Sequence, residues 1–159
     1  MDFNEYFEYR EGKLFWRSSP SNSTKAGSRA GSKSGKKGHR TVNLFGKKYM
    51  EHRVIWEMHN GPIPEGMYID HIDQNASNNL LSNMRIVTMT ENNRNRGLGK
   101  NNTSGHVGVR FEDGRWRSRI RVNGKTLNLG SFKNYEDACI ARIAGQEKHG
   151  FHKNHGMVK

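Results

Sequence analysis

Residues 67–97 read MYIDHIDQNASNNLLSNMRIVTMTENNRNRG, and the order of elements they imply decides the fold of the first half of the chain. Met67–Ile72 has the composition of a short strand and carries Asp70 and His71 at its end. A polar, Asn-rich stretch follows at 73–79, and Met84–Val87 forms a second short strand. Thr88 and Glu91 have capping-box spacing, which predicts a helix over 91–96 that stops at Gly97. The segment reads strand, loop, strand, helix.

This set of side chains suits one kind of chemistry. Metal-assisted phosphodiester hydrolysis needs a ligand for a hard cation, a base for water, and groups that fix their geometry. Asp70 supplies an anionic oxygen suited to Mg²⁺. His71 is its neighbour on the strand, where alternation turns it the other way, so one residue can hold metal while the other faces water. Asn83 lies 12 residues after His71, at the start of the second strand. Asn92 lies nine residues further on, in the first helical turn, where it can point back at the metal.

On the N-terminal side, residues 6–16 read as two short strands around Glu11-Gly12, rich in aromatics. Residues 18–40 are Gly-, Ser- and Lys-rich with almost nothing to bury, and predict a mobile basic loop that only a partner would order. Residues 41–51 predict a hairpin turning near Gly46, and 52–59 a short helix ended by Gly61-Pro62. Residues 98–104 are linker-like. Beyond them, strands are predicted at 106–111, 115–122 and 126–130, joined by Asp113-Gly114 and Asn123-Gly124 turns. Asn134 is expected to cap a helix over 135–148 that turns Ala138, Ala141 and Ala144 towards the sheet. The expected class is α+β: a domain over 1–97, a linker, and a second domain over 105–159, a small three-stranded antiparallel sheet packed on one helix.

The charge supports two basic blocks around an acidic centre. The 159 residues hold 27 Lys+Arg and 15 Asp+Glu, a formal charge of +12. Residues 21–50 contribute +8 and residues 98–159 contribute +7, whereas 51–97 are net −2. Phosphate neutralisation by Lys and Arg gives sequence-independent affinity, so this distribution fits a polyanion binder that reserves its carboxylates for another task. Leu, Ile, Val and Phe total 29 residues, below the ~20% expected of large cores, so the 15 aromatics must serve small ones. There is no apolar run near the ~18 residues of a membrane span and no signal-peptide core. The single cysteine, Cys139, excludes an intramolecular disulfide framework and a Cys-based zinc site. The expectation is a protein of the cytoplasm.

Strand 115–122 reads RWRSRIRV. Alternation places Arg115, Arg117, Arg119 and Arg121 on one face and Trp116, Ser118, Ile120 and Val122 on the other. A row of guanidiniums can follow a phosphate backbone or reach base edges. Arg110 and Lys125 are expected to join it from the adjacent strands. His149, His152 and His155 lie at spacing three, but no carboxylate or cysteine completes a metal set, and they read as tail residues.

Two resemblances follow. The order Gly12-Lys13-Leu14-Phe15-Trp16, His52-Arg53, Gly61-Pro62-Ile63-Pro64, Ile69-Asp70-His71-Ile72-Asp73, Asn78-Asn79, Asn83-Met84-Arg85 and Glu91-Asn92 resembles the HNH endonucleases, in particular phage-type homing endonucleases with a ββα-metal site. The resemblance implies His71 as general base, Asp70 and Asn92 as metal ligands, and Asn83 as the residue that brances the loop and helps orient the base. The last position is Asn where other members have His, which favours Mg²⁺ or Mn²⁺ over zinc. Asn93 is the alternative ligand, and Asn78 or Asn79 the alternative brace. Arg53 or Arg85 is expected on the scissile phosphate, with His52 beside the site. Residues 104–150 resemble the APETALA/ethylene-response-factor type of DNA-binding domain, through Gly108-Val109, Trp116, Asn123-Gly124, Leu129-Gly130, Phe132 and Glu136-Asp137-Ala138. That resemblance implies a sheet face in the major groove, with roles for Arg110, Arg117, Arg119 and Arg121 and an ambiguous one for Trp116. Double-stranded DNA is the expected partner, with monomer or weak dimer as the expected state. The competing readings are a non-catalytic DNA-binding regulator and, less supported for want of an aromatic single-strand platform, an RNA-binding protein.

Overall fold

Tight hairpins set most of the architecture. Glu11 and Gly12 take φ of 45° and 76°, and Asn123 and Gly124 take 49° and 81°, the left-handed pairs that two-residue hairpin turns require. The computed structural model describes residues 1–18, 24–35, 38–95, 97–99, 101–152 and 155–156. It divides into two compact units, Met1–Asn92 and Asn93–Lys159. The division falls a few residues before the expected linker at 98–104.

In the N-terminal unit, β1 (Phe7–Arg10) pairs antiparallel with β2 (Lys13–Trp16). A second sheet has the order β3 (Ser32–Lys33), β4 (Arg40–Leu44), β5 (Lys47–Met50). Helix α1 (Glu51–Asn60) leaves β5 directly and ends at Gly61, as the Gly-Pro pair predicts. Strands β6 (Tyr68–His71) and β7 (Met84–Val87) pair antiparallel, and helix α2 (Met89–Arg94) follows. The core is Phe3, Phe7, Leu14, Trp16, Ala30, Val42, Leu44, Val54, Ile55 and Met84.

The basic segment departs from expectation. Residues 24–35 and 38–40 do have something to bury: Ala30 is wholly enclosed, and β3 adds an edge to β4. The segment runs back along β2, with Trp16 N–H donating to Ser28 O, Gly27 N–H to Trp16 O and Ala30 N–H to Leu14 O. Its ordering is offset by charge, since Arg29 lies 2.6 Å from the buried Glu51 carboxylate. Residues 19–23 and 36–37 of the expected loop lie outside the described residues, as does Arg96 at the end of the predicted helix.

In the C-terminal unit, β8 (Val109–Glu112), β9 (Arg115–Val122) and β10 (Lys125–Phe132) form one antiparallel sheet with β9 central. Helix α3 (Tyr135–Lys148) packs against it. Its buried face is Ala138, Arg142 and Gly145, so Ala144 is exposed and not turned to the sheet. The i, i+4, i+7 stripe won over the i, i+3, i+6 one because Arg142 is drawn inward, where burial pushes it down to about 10. Asn134 occupies the N-cap in extended conformation, but its side chain donates to Asp137 and does not cap the helix backbone. No helix among the described residues is long and apolar enough to cross a membrane.

Gly31 tests the packing of the basic segment. At φ +74° an added Cβ would sit 2.5 Å from the Thr41 carbonyl oxygen. Gly31→Ala is expected to destabilise the protein by about 1–3 kcal/mol, read as a lower urea midpoint; an unchanged midpoint would show that the segment is not docked in solution.

Candidate active site and arginine face

The register of β6 and β7 sets Asp70 opposite Arg85 and His71 opposite Met84. Asp70 and His71 are both buried, 6% and 7% exposed. Alternation sends them apart, as expected from adjacent strand positions. Arg85 donates from Nε and Nη2 to Asp70 Oδ2, at 2.9 and 2.8 Å. It therefore pairs with a carboxylate in this structure. Arg53 projects from α1 and is exposed.

The loop between the strands is knitted by Asp73. Its Oδ1 accepts from the Asn75 backbone (2.8 Å) and Asn83 Nδ2 (2.9 Å), and its Oδ2 accepts from Asn78 Nδ2 (2.8 Å). Burial raises the Asp73 carboxyl, but these donors, with the charge of His71 beside them, outweigh it and hold the group below the ordinary carboxylate range. Asn83 closes the loop from the other side: its Oδ1 accepts from Asp73 N–H, and its Nδ2 also donates to Asn78 O. Asn83 thus braces the loop, and Asn79 reaches His71, with Oδ1 2.8 Å from Nε2. Asn79 is 2% exposed, and its Nδ2 donates to Glu51 Oε2 at 3.3 Å.

Two further histidines close around His71. The His52 ring lies 5.4 Å from it and the His39 ring 6.1 Å, with 5.3 Å between His39 and His52. Burial first, and then the nearby His71, His39 and Arg53, push His52 down to about 3. Sequence reasoning placed His52 beside the site but missed His39, whose only signal is its position between a glycine and an arginine in a basic run. On α2 the capping box forms: Thr88 N–H donates to Glu91 Oε2 (2.8 Å), and Glu91 N–H to Thr88 Oγ1 (3.3 Å). Asn92 is partly exposed on this helix and Asn93 is exposed. Among the described residues no three His, Cys, Asp or Glu side chains converge as a metal cage.

In the C-terminal unit the alternation of β9 is as expected, with Ser118 and Ile120 buried and Arg115, Arg119 and Arg121 exposed. Trp116 lies on the helix side, half-buried, its ring 4.8 Å from that of Tyr135 on α3 and 5.1 Å from that of Phe111. Alternation, which separates it from the arginines, decides its place. The arginine face is not of one sign. Glu112 lies 3.3 Å from both Arg110 and Arg119 and 3.7 Å from Arg117, which also pairs with Asp113. Arg121 donates to Gly124 O and Arg115 to Ser131. Lys125, across from Val122, is exposed at the start of β10.

Residues 49–94 match the family described as HNH endonuclease. Protein 3.8 of Escherichia phage T7 is 39% identical over 113 residues, covering 70% of this chain and 93% of that protein. An uncharacterized HNH endonuclease of Acanthamoeba polyphaga mimivirus is 32% identical over 106 residues, 65% of this chain and 54% of that protein. A protein of the SPbeta prophage of Bacillus subtilis (strain 168), which bears the name of an HNH homing endonuclease, is 41% identical over 46 residues, 29% of this chain and 27% of its own. No solved structure matches the chain.

The depressed His52 gives a signed pH dependence. Between its ordinary value of 6.5 and about 3, the unfolded chain binds a proton at His52 that the folded chain refuses, so stability falls as pH is lowered through that interval. His52→Gln is expected to make this fall shallower by one proton's worth of slope, measured as urea midpoints across a pH series; parallel slopes would contradict a neutral, buried His52.

Proposed function

We propose that this chain, which carries an HNH endonuclease domain and belongs to the same family as protein 3.8 of phage T7, is a DNA endonuclease of the homing type. It hydrolyses a phosphodiester in double-stranded DNA, as a nick or a double-strand break, and leaves a 5′-phosphate and a 3′-hydroxyl. The observation that carries this reading is the buried pair Asp70 and His71 at the end of β6, with His71 held by Asn79 inside the segment of family likeness.

Asp70 and Asn92 would hold a divalent ion, Mg²⁺ or Mn²⁺. The donor chemistry fits: one carboxylate and one amide oxygen suit a hard cation that keeps water and phosphate oxygens as its other ligands. Held there, such an ion would supply charge neutralisation for phosphodiester hydrolysis. His71 takes the proton of the attacking water on Nδ1, since Nε2 faces the Asn79 carbonyl oxygen. The water oxygen bonds to phosphorus as the bond to the 3′ oxygen breaks, and the released 3′ oxygen takes a proton from solvent water to become the hydroxyl. Asn83 keeps the loop closed under the base. Arg85 and Arg53 offer cations to the phosphate.

The C-terminal unit, as a domain of the APETALA/ethylene-response-factor kind, would add DNA affinity and site selection through Arg110, Arg117, Arg119, Arg121 and Lys125. The chain would act in the host-cell cytoplasm. A second reading, a non-catalytic DNA-binding regulator, is favoured by one observation: Arg85 already satisfies Asp70 Oδ2.

Supercoiled plasmid carrying genomic DNA from the source separates the two. Cutting that needs a divalent ion and is abolished in His71→Ala, while that variant keeps its DNA affinity, is the expected result; intact plasmid with a clean gel shift would favour the regulator. Arg119→Ala is expected to weaken DNA binding by about 1–3 kcal/mol with the metal requirement unchanged, measured by titration at fixed salt. Unchanged affinity would remove β9 from the interface.

A further inference from the structure

We infer that Glu51 is a positioning residue for His71, fixing through Asn79 which imidazole nitrogen carries the proton. Its catalytic meaning rests on the nuclease reading above. Glu51 is wholly buried, and both its oxygens are engaged. One accepts from Leu14 N–H at 3.2 Å and lies 2.6 Å from Arg29 Nη2. The other accepts from Asn79 Nδ2 at 3.3 Å and lies 3.6 Å from Arg40 Nε.

A carboxylate only accepts hydrogen bonds, so Asn79 must turn its NH₂ group to Glu51 and its carbonyl oxygen to His71. That oxygen also only accepts. The neutral ring therefore holds its proton on Nε2, which leaves the basic lone pair on Nδ1. Each step in the row Glu51, Asn79, His71 is forced by donor and acceptor identity. The row begins in the basic segment, because Arg29 and Arg40 supply the countercharge for Glu51. Ordering that segment and fixing the base are then one event.

The test is ¹⁵N NMR of ring-labelled histidine in the full chain, at a pH where imidazole is neutral, with His71 assigned by its loss in His71→Ala. Wild type is expected to show His71 protonated on Nε2. In Glu51→Gln, Leu14 and Arg29 retain the amide oxygen, so the new NH₂ faces Asn79. Asn79 then flips, offers NH₂ to His71, and the ring proton moves to Nδ1. Glu51→Gln with Asn79→Asp restores a fixed acceptor beside His71 and returns the proton to Nε2. Single-turnover cleavage is expected to fall about 100-fold or more in Glu51→Gln and to recover in the double variant, with DNA affinity unchanged throughout.

Wild type protonated on Nδ1, or Glu51→Gln retaining the Nε2 proton, would overturn the inference. If Glu51→Gln fails to fold, the wild-type spectrum still decides it, and an Nδ1 proton there overturns it. A wild type that cuts no DNA under any divalent ion sinks the nuclease reading alone, because the ring signals report on Glu51 independently of activity.

Discussion

The N-terminal unit is organised around a carboxylate with no exposure to water. Glu51 sits in an apolar core with Leu14, Val54 and Ile55 wholly or almost wholly buried nearby in sequence or sheet, and an ion there is tolerated only where partners replace its hydration. Those partners come from three places: the backbone of β2, two arginines of the basic segment, and the loop after β6. None of the three is held by hydrophobic burial alone. Leaving such a charge unpaired costs about 3–5 kcal/mol, a large part of the stability of a domain this size. The basic segment, the first hairpin and the Asn-rich loop are thereby tied to one another, although Ala30 is the one wholly buried apolar residue described in the basic segment.

How much of this the sequence reveals depends on the range of the interactions. The strand–loop–strand–helix order of 67–94 was legible because its signals are local, a capping box and an apolar strand, although the helix ends at Arg94, short of the Gly97 stop the sequence suggested. The same holds for the two C-terminal hairpin turns and the alternation of β9. What sequence reasoning missed is long-range. Glu51 and Arg29 are 22 positions apart and Glu51 and Asn79 are 28 apart, and no periodicity links them. The basic segment looked unstructured because composition counts apolar area, whereas it is held by one buried methyl group, backbone pairing and charge. Asn79 was one of several neighbouring amides, and only the position of Glu51 singles it out. Arg142 was hidden for a related reason: an alanine stripe is the better guess for a buried helix face, and nothing local marks a buried arginine.

The arginine face carries a different lesson. Four arginines in alternation on β9 argue for a uniform cationic strip, yet the neighbouring strand and turn place Glu112 and Asp113 among them. The acids screen the arginines from one another, which removes the repulsion that such a row would otherwise carry. They also give the face something to exchange when an anion arrives.

The hairpin tips are unequal, and the difference bears on how the protein can be labelled. At the first tip, a Cβ on Gly12 would lie 3.1 Å from the backbone of Asn79 and Leu80, so the turn rests against the loop that holds His71. A dye or an epitope inserted there would lever that loop open. The Asn123-Gly124 tip has nothing among the described residues within 4 Å of an added Cβ, and a reporter grafted there would displace no described neighbour. Two turns of the same conformation thus differ in what surrounds them: one is a structural wedge and the other an open handle.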